Sequence, residues 1–370
     1  MKRMLTLLAA LLLGWSAPAQ EAPARAEGYH YVNATELPLG GKVLPETSAR
    51  YERLPASLEG VARKPVWRLG RNSAGLYVRF RSDATAVRLR WTSLGKHYMN
   101  HMSPTGDRGV DLYILNDKGQ WQFARSGRPG KEATTDALVI EHMAPKMREF
   151  MVYLSLYDGV TDLEIGVPDG AVVEQPALES PKRARPVIMY GTSILQGGCA
   201  CRPGMAYTNI LSRRLDREVI NLGFSGNALL DPEIARWMAS APDPGVFVLD
   251  ESPNCSAKLI EEKGEAFFRI LRDAHPDVPV VFVDMTPFPY RVFDQECDKN
   301  VARISAAQRA LYERLKKAGE KRIYFVPGDR MLSPDGEGSV DGKHLTDLDM
   351  VHYADLLEPV LRKVLRKSGK

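Results

Sequence analysis

The second half of this sequence changes repeatedly between two kinds of apolar pattern, and this alternation restricts the possible folds more than any other feature. From Pro186 onward, short apolar runs alternate with longer stretches of helical periodicity. The apolar runs predict strands at 187–190, 219–222, 246–249, 278–283 and 323–326. The stretches between them predict helices at 205–215, 232–239, 256–275 and 298–318. Strands and helices in this order form a parallel sheet covered by helices on both faces, so residues 181–370 are predicted to be an α/β domain.

The first half of the chain has a different pattern, in which apolar and polar residues alternate with a period of two. This alternation is clearest in 76–81 and 86–91, and it is typical of strands with one buried face. Further strands are predicted at 110–115, 120–125, 137–141, 150–156 and 163–167. Several short strands with almost no helical pattern predict an all-β sandwich, jelly-roll-like in form, over residues 28–175. The charged segment 174–185 contains two prolines and is predicted to be a linker.

The N-terminus has the three parts of an export signal. Lys2 and Arg3 give it a charged start, and residues 4–15 form an apolar run. The sequence Ala17-Pro18-Ala19 then matches the small-x-small pattern of a cleavage site. The apolar run is short for a bilayer span, although a retained membrane anchor is the alternative. Residues 1–20 are therefore predicted to be a cleaved signal peptide, and the protein to be secreted or periplasmic without stable membrane insertion.

Composition narrows the range of partners. Hydrophobic residues make up 44% of the chain, which supplies enough apolar surface for two domain cores. The formal net charge is +4, and Lys2 and Arg3 of the predicted signal peptide supply two of these charges. The remaining chain is close to neutral and lacks the strong positive field expected of a nucleic-acid-binding protein. The sequence leaves the oligomeric state open.

Four cysteines are present, at positions 199, 201, 255 and 297. In an oxidising compartment some of them are expected to pair, but four cysteines allow three complete pairings and the sequence does not choose among them. Cys199 and Cys201 follow one predicted strand end, and Cys255 follows another. Because adjacent strand ends could bring these positions together, we hypothesise one disulfide between Cys255 and one of the other two.

Chemically versatile residues follow the carboxyl ends of the predicted strands, where ligands bind in sheets of this kind. Ser193 follows the first strand, Gly226 lies in a glycine-rich turn after the second, and Asn254 follows the third. Asp341 and His344 precede the last helix, three positions apart. A serine can be a nucleophile, an asparagine amide can donate to an oxyanion, and a carboxylate can orient an imidazole. Considered singly, each residue also fits a helix cap or a surface turn.

In their order and placement, these five residues resemble the motifs of the SGNH, or GDSL-type, hydrolases. The first half carries a second resemblance, because Gly109-Val110-Asp111-Leu112-Tyr113 is similar to the GxDLY signature of an N-terminal domain fused to one subgroup of these enzymes. Together they imply a flavodoxin-like SGNH hydrolase domain over 181–370 and a GxDLY domain over 28–175. Two positions depart from the family pattern: Thr192 stands where the family has an aspartate, and 252–255 reads Ser-Pro-Asn-Cys instead of Gly-x-Asn-Asp.

The resemblance implies ester hydrolysis without a metal or other cofactor. In such a mechanism Ser193 attacks the ester carbonyl, His344 accepts the serine proton, and Asp341 orients the imidazole. The backbone amides of Ser193 and Gly226 and the side chain of Asn254 form the oxyanion hole. Water then releases the acyl group from the enzyme.

The acyl group is predicted to be short, with acetyl as the expected group, and the substrate to be a carbohydrate ester. The turn after Ser193 continues as Gln196-Gly197-Gly198, and no amphipathic lid lies between the motifs, whereas long acyl chains need an extended apolar wall. Exported enzymes of this type that carry a β-sandwich often act on decorated glycans, as the resemblance implies. A lipase or thioesterase acting on longer acyl chains is the alternative within the hydrolases.

Two further alternatives belong to other functional classes. One is a glycan-binding protein with an inactive hydrolase domain. The other is a metal enzyme with zinc at His97 and His101, whose spacing suits ligands on a helix. No helix is predicted there, because the pair lies between Gly95 and a turn at 103–106. The loop from His97 to Arg108 is expected instead to reach toward the substrate.

Overall fold

The computed structural model describes residues 23–367, and three β-sheets organise them. Two antiparallel sheets lie in the first half of the chain and one parallel sheet lies in the second, as the sequence predicted. The predicted signal peptide, 1–20, lies outside the described residues. Within 23–367, no helix has both the length and the apolar character needed to cross a membrane.

The first half forms a sandwich of two antiparallel sheets, with short helices in its connections. Its elements are β1 (Tyr29–Asn33), β2 (Leu39–Gly40), α1 (Lys64–Gly70), β3 (Tyr77–Ser82), β4 (Val87–Ser93), α2 (Pro104–Asp107), β5 (Val110–Leu115), β6 (Trp121–Gly127), β7 (Thr134–Ile140), β8 (Arg148–Tyr153), β9 (Val160–Pro168) and β10 (Val173–Glu174). One sheet has the strand order β1-β9-β4-β7. The other has the order β10-β3-β8-β5-β6, with β2 paired to β3.

Side chains from both sheets meet in one core. In β4 the alternate residues Val87, Leu89 and Trp91 are buried, which is the pattern expected of a strand with one covered face. Phe80 and Phe150 are partners across β3 and β8, and their rings stack with centroids 4.8 Å apart. The residues whose alternation predicted the strands therefore form the core of the sandwich.

The second half forms a five-stranded parallel sheet with helices on both faces. Its elements are β11 (Arg183–Gly191), α3 (Ser193–Gln196), α4 (Tyr207–Leu215), β12 (Arg217–Gly223), α5 (Pro232–Ala239), β13 (Val246–Asp250), α6 (Ala257–Ala274), β14 (Val280–Val283), α7 (Gln295–Lys317), β15 (Ile323–Val326) and α8 (Asp347–Lys367). The strand order β12-β11-β13-β14-β15 is the predicted flavodoxin-like order. Ile188 and Tyr190 of β11 belong to one hydrophobic core, while Val187 and Met189 belong to the other.

Some elements were not predicted from the sequence pattern. The two-residue strands β2 and β10 both pair with β3, and β1 pairs with the distant strand β9. The helix α1 was also not predicted. Its residue Val66 packs with Leu54 in a core of the α/β domain rather than in the sandwich. Such short segments are stabilised by partners far away in the chain, so they carry little local periodicity.

The connection between the two halves is shorter and better ordered than the predicted linker at 174–185. Arg79 donates hydrogen bonds to the backbone oxygens of Leu178 and Ser180, which attach this segment to the sandwich. β11 begins at Arg183, inside the predicted linker. Prolines and charges in the sequence indicated a break in regular structure, but they carried no information about the tertiary contacts that order the segment.

The Gly-x-Asp-Leu-Tyr motif joins the two halves. Asp111, which is completely buried, accepts hydrogen bonds from Arg202 Nη1 (2.9 Å) and from the backbone N–H of Gly204 (2.7 Å). Arg202 also donates to the hydroxyl oxygen of Tyr113 at 2.7 Å. Burial raises the pKa of Asp111, and the charge of Arg202 opposes that rise. The motif therefore fixes the segment 199–204, which follows α3.

Candidate active site

The carboxyl ends of β11, β12 and β13 are neighbours in the parallel sheet, and residues that follow these strands line a cleft of about 620 Å³. Its lining includes Ser193, Gly226, Asn254 and His344, and Asp341 contacts His344 directly. The strand order reverses between β11 and β13, which is where open sheets of this type bind ligands. A larger cleft of about 880 Å³ between the two halves contains none of these residues, so chemistry rather than size identifies the candidate site.

Ser193 lies at the start of the one-turn helix α3. The hydroxyl oxygen of Thr192 accepts a hydrogen bond from the backbone N–H of Ile194 (3.3 Å) and caps this helix. Gly191 is required before the cap, because a Cβ there would lie 2.6 Å from the backbone oxygen of Asp250. The threonine that departs from the SGNH pattern therefore serves as the helix cap, and Ser193 lines the cleft with 7% of its surface exposed.

The turn that contains Gly226 is fixed by a side chain from α3. The carboxamide oxygen of Gln196 accepts a hydrogen bond from the backbone N–H of Ser225 (3.0 Å). The carboxamide nitrogen of Gln196 donates to the side chain of Asn72 and to the backbone oxygen of Leu156. Gly226 adopts a φ of +66°, in the left-handed region that favours glycine. The turn therefore holds Gly226 at the cleft with no side chain to fill the space.

Asn254 is oriented by the loop that follows β12. Its side-chain oxygen accepts a hydrogen bond from the backbone N–H of Ala228 at 3.2 Å. This contact assigns the orientation of the carboxamide and leaves its NH₂ group as a donor for a ligand. Asn254 lines the same cleft as Ser193, which is the placement that an oxyanion donor requires.

Asp341 and His344 form a hydrogen-bonded pair in a tight turn. Oδ2 of Asp341 lies 2.7 Å from Nδ1 of His344. Oδ1 of Asp341 accepts hydrogen bonds from the backbone N–H groups of Lys343 (2.9 Å) and His344 (2.8 Å). Burial alone would raise the pKa of Asp341, but these hydrogen bonds outweigh it and lower the pKa to about 2. The carboxylate is therefore charged at neutral pH, and it leaves Nε2 of His344 available to act as a base.

The His344 turn is attached to the backbone that follows α3. The backbone N–H of Cys199 donates to the oxygen of Leu345 at 2.8 Å, and the N–H of Leu345 donates to the oxygen of Gly198 at 3.3 Å. Within residues 23–367, Ser193 and His344 line one cleft without a hydrogen bond between their side chains. Contacts between a nucleophile and its base are often long before substrate binds, and they shorten in the complex.

Comparison with known proteins matches each half of the chain to a known family. Residues 29–173 match the family model for the N-terminus of SGNH-hydrolase-type esterases, and residues 184–362 match the GDSL-like lipase/acylhydrolase family. A solved structure of a GDSL-like lipase from Bacteroides ovatus is 35% identical, has a TM-score of 0.87, and covers 91% of this chain and 98% of its own. This chain belongs to the GDSL-like lipase/acylhydrolase family.

Other solved structures share the fold of this GDSL-like hydrolase at lower identity. A salicylyl-acyltransferase from a tetracycline biosynthetic pathway is 18% identical, with a TM-score of 0.72 over 93% of this chain and 99% of that one. A family two carbohydrate esterase from Cellvibrio japonicus is 13% identical, with a TM-score of 0.59 over 91% and 98%. No curated protein matches the chain. Membership of the family makes the protein a carboxylic ester hydrolase, which confirms the reaction class predicted from the resemblance.

A tyrosine from the sandwich supports the Ser193 turn of the hydrolase and was not predicted. The hydroxyl of Tyr157 lies 3.2 Å from the backbone oxygen of Ser193 and 3.4 Å from Oγ of Ser225. Burial raises the pKa of Tyr157, so its hydroxyl stays protonated and can donate. In the sequence this tyrosine belongs to an ordinary turn between strands, and no local signal shows that the turn meets the other domain.

The loop before α2 reaches the candidate site, as expected. The ring of His101 lies 5.3 Å from that of His344 between centroids, and Nε2 of His101 lies 3.9 Å from Oδ2 of Asp341. His97 has a different partner: its Nδ1 is 2.7 Å from Oδ1 of Asp107, and this contact raises the pKa of His97. The group of potential metal ligands within 23–367 contains His101 but not His97, so the zinc pair considered from the sequence is not formed.

The disulfide hypothesised from the sequence is wrong for this structure. All four cysteines lie within the described residues, and all four are free thiols. Sγ of Cys255 contacts the backbone oxygen of Ala228 at 3.3 Å, whereas the thiol of Cys199 lies near His101 and His344. Neighbouring strand ends bring two loops together without determining where their side chains point, and here the thiols have different neighbours.

Two buried carboxyl groups lie next to the site: Asp250 is the last residue of β13, and Glu251 follows it. Asp250 accepts hydrogen bonds from the hydroxyls of Tyr207 (2.6 Å) and Tyr353 (2.9 Å). Glu251 accepts a hydrogen bond from the carboxamide nitrogen of Gln308 at 3.1 Å. Burial raises the pKa of each carboxyl group to about 7, although the hydrogen bonds oppose the rise. These groups bind together the sheet, α4, α7 and α8 behind the cleft.

Proposed function

We propose that this protein is an exported serine esterase in which Ser193 is the nucleophile. The observation that carries the proposal is the Asp341–His344 pair, whose Oδ2 and Nδ1 atoms are 2.7 Å apart beside a cleft that Ser193 also lines. An imidazole oriented in this way keeps Nε2 free to accept a proton. The predicted signal peptide at 1–20 supports export.

The proposed reaction has two stages. His344 takes the hydroxyl proton of Ser193 as its Oγ attacks the ester carbonyl, and the former carbonyl oxygen becomes an oxyanion. The backbone N–H groups of Ser193 and Gly226 and the NH₂ group of Asn254 donate hydrogen bonds to that oxyanion. His344 then gives the proton to the leaving alcohol. In the second stage water attacks the acyl-enzyme and His344 takes a proton from the water. The bond from the acyl carbon to Oγ of Ser193 then breaks, His344 returns the proton to Oγ, and the carboxylic acid leaves.

We further propose that the acyl group is short, with acetyl preferred, and that the alcohol is a carbohydrate. Phe288 and Tyr290 stack with ring centroids 5.9 Å apart, and they line the cleft together with Asn300 and Lys343. Aromatic faces beside polar side chains suit a hydroxylated ligand. A long acyl chain would instead need a continuous apolar wall, because each buried methylene contributes about 0.8 kcal/mol. The fold shared with a family two carbohydrate esterase supports this assignment.

The test is the dependence of kcat/KM on acyl chain length. Synthetic esters from acetyl to octanoyl are compared with acetylated glycans, using the Ser193→Ala variant as the background. We expect kcat/KM to fall as the chain lengthens and acetate to be released from at least one glycan. A higher kcat/KM for octanoyl than for acetyl esters would favour the lipase alternative. A folded wild-type protein that hydrolyses none of these esters would favour a binding protein with an inactive hydrolase domain.

A further inference from the structure

Three side chains that commonly bind transition metals meet at the edge of the candidate active site. Each of His101, Cys199 and His344 offers one ligand atom, and these atoms lie within 4.8 Å of one another. His101 comes from the sandwich, Cys199 from the turn after α3, and His344 from the turn before α8. The mechanism proposed above uses only His344, so the other two side chains have no role in it.

Both imidazoles have a nitrogen lone pair available. Nδ1 of His344 is bound to Asp341, and Nδ1 of His101 lies 2.8 Å from the side-chain oxygen of Asn100. These oxygen partners assign the proton to Nδ1 in each ring and leave Nε2 as an unprotonated ligand atom. Nε2 of His101 is also buried and has no hydrogen-bond partner within the described chain, which is uncommon for a buried polar atom. Metal-binding histidines are oriented by such second contacts at the opposite nitrogen.

The thiol of Cys199 completes the group. Cys199 is 7% exposed, and its backbone is held by the hydrogen bond to Leu345. Cys199 is a free thiol, so it carries an S–H proton before a metal binds. A bound cation displaces that proton, because the thiolate is the form that binds metals. The charged carboxylate of Asp341, 3.9 Å from Nε2 of His101, adds a negative charge that favours a cation here.

We propose that His101, Cys199 and His344 bind a thiophilic divalent cation of the zinc class, and that this cation inhibits the esterase reversibly. Two imidazoles and one thiolate are a donor set that zinc prefers. Zinc ligands lie about 2.0–2.3 Å from the metal, which puts the donor atoms of a tetrahedral site roughly 3.3–3.8 Å apart. Donor atoms that already lie within 4.8 Å of one another therefore need at most small movements to bind the metal. The side chains of His101 and His344 are 30% and 22% exposed, so the cluster lies at the protein surface although Nε2 of His101 is itself buried.

Inhibition follows from the identity of one ligand. The metal occupies the Nε2 lone pair of His344, and His344 then cannot take the proton of Ser193. When the metal binds, the S–H bond of Cys199 breaks, a bond from sulfur to the metal forms, and one proton passes to solvent. This inhibitory step rests on the proposed function, whereas metal binding itself does not.

A cobalt titration tests binding without using activity. The full chain, first treated with a chelator, is titrated with Co²⁺, and the thiolate-to-cobalt charge-transfer absorption is recorded. We expect the band in wild type and in Ser193→Ala, and its loss in Cys199→Ala. The matched control is Cys201→Ala, because Cys201 is a free thiol two positions away that lies outside the cluster. The proposal is overturned if wild type shows no band, or if Cys201→Ala rather than Cys199→Ala removes it.

A second measurement tests inhibition and separates the two proposals. Hydrolysis of an acetyl ester is measured against Zn²⁺ concentration, and a chelator is then added. We expect inhibition that the chelator reverses, with a midpoint at least about tenfold higher in Cys199→Ala and in His101→Gln, since even a lost outer contact weakens metal affinity about 10- to 100-fold. If Cys199→Ala does not fold, His101→Gln still tests whether the cluster binds the inhibitory cation. Equal midpoints in wild type and folded variants, or activation by Zn²⁺, would overturn the inhibitory role. A wild-type protein that gives the cobalt band but does not hydrolyse the acetyl ester would contradict the proposed function and would still support the metal site.

Discussion

At the scale of single residues, the candidate site depends on side chains whose orientation is fixed before substrate binds. Asp341 receives hydrogen bonds from two backbone N–H groups and faces the imidazole of His344. The oxygen of Asn254 is occupied by Ala228, which leaves its NH₂ group for a ligand. Fixed donors of this kind stabilise charge in a transition state without the cost of reorganising during the reaction.

The first prediction concerns the nucleophile. Ser193→Ala should reduce turnover of a chromogenic acetyl ester by about a million-fold, the usual loss when the nucleophile of a triad is removed. The melting temperature should hardly change, because the Thr192 cap and the Gly191 turn remain. Substantial activity in the purified, folded variant would rule out Ser193 as the nucleophile.

The second prediction concerns the oxyanion donor. Asn254→Ala should lower kcat by about 100- to 1,000-fold and change KM much less, because the hydrogen bond strengthens as charge develops on the substrate oxygen. Asn300→Ala is the matched control, since Asn300 lines the same cleft from α7 and is not predicted to contact the oxyanion. A rise in KM with unchanged kcat would make Asn254 a substrate contact instead.

At the scale of elements, the candidate site is formed mainly by connections. Ser193 starts a helix of one turn, Gly226 and Asn254 lie in loops after strands, and Asp341 and His344 share a turn before α8. Loops at the carboxyl ends of strands can carry precise chemistry when rigid elements hold their ends. Here β5 of the sandwich helps to hold one of these loops, because Asp111 of β5 accepts hydrogen bonds from the segment that follows α3.

The third prediction tests this contact between elements. Asp111→Asn removes a buried negative charge and leaves Arg202 without its carboxylate, a change that typically costs about 3–5 kcal/mol in the free energy of unfolding. It should also lower kcat, because Asp111 holds the 199–204 segment, and Cys199 in that segment is hydrogen-bonded to Leu345, the residue after His344. The control is Asp117→Asn, whose carboxylate pairs with Lys146 on the exposed surface. Denaturant unfolding and ester kinetics measure both effects, and equal behaviour of the two variants would contradict the docking role of Asp111.

At the scale of the whole molecule, residues of the α/β domain line the cleft, and residues of the first half support them from behind. Arg53, which is almost fully buried, donates from the first half to the backbone oxygens of Asn221 and Gly223 at the end of β12. Tyr157 contacts the backbone of Ser193. The first half therefore stabilises strand ends and turns of the second, and the cleft depends on the assembled chain.

The fourth prediction concerns how the stability of the whole chain depends on pH. Burial raises the folded-state pKa of Asp250 and of Glu251 to about 7, while carboxyl groups of the unfolded chain ionise near pH 4. Between these values the folded chain holds more protons than the unfolded chain. The contribution of these groups to the free energy of unfolding therefore falls as pH rises from about 4 to about 7, and it then levels off.

Denaturant unfolding across this pH range measures the effect. Asp250→Asn should reduce the downward slope by up to about 1.4 kcal/mol per pH unit, which corresponds to one proton. Asp273→Asn is the control, because Asp273 is exposed on α6 and lies outside this buried group. An unchanged slope in Asp250→Asn would show that its carboxyl group does not retain a proton in the folded state.

Much of the architecture could be predicted from the sequence, because it depends on local periodicity. The strand β15 and the helix α5 lie at the predicted positions, and the other predicted strands and helices of the second half differ mainly at their ends. The two antiparallel sheets and the parallel sheet are confirmed, as is membership of the GDSL-like family. The order of Ser193, Gly226 and Asn254 along successive strand ends was also enough to predict a shared cleft. Their catalytic roles stay predictions.

Only the tertiary structure decided which side chains meet across the domain boundary. Sequence order placed Tyr157 and Asp111 in the sandwich, and no period or spacing connected them with Ser193 or with Arg202. The loop that contains His101 was expected to reach toward the substrate, but no spacing paired His101 with His344. The same limit explains the disulfide that was wrongly expected, since adjacency of strand ends does not set the direction of a thiol. Periodicity determines which face of an element is buried, because it repeats within a few residues. Contacts between domains depend instead on shape and burial over the whole assembled surface, so they leave no short-range signal in the chain.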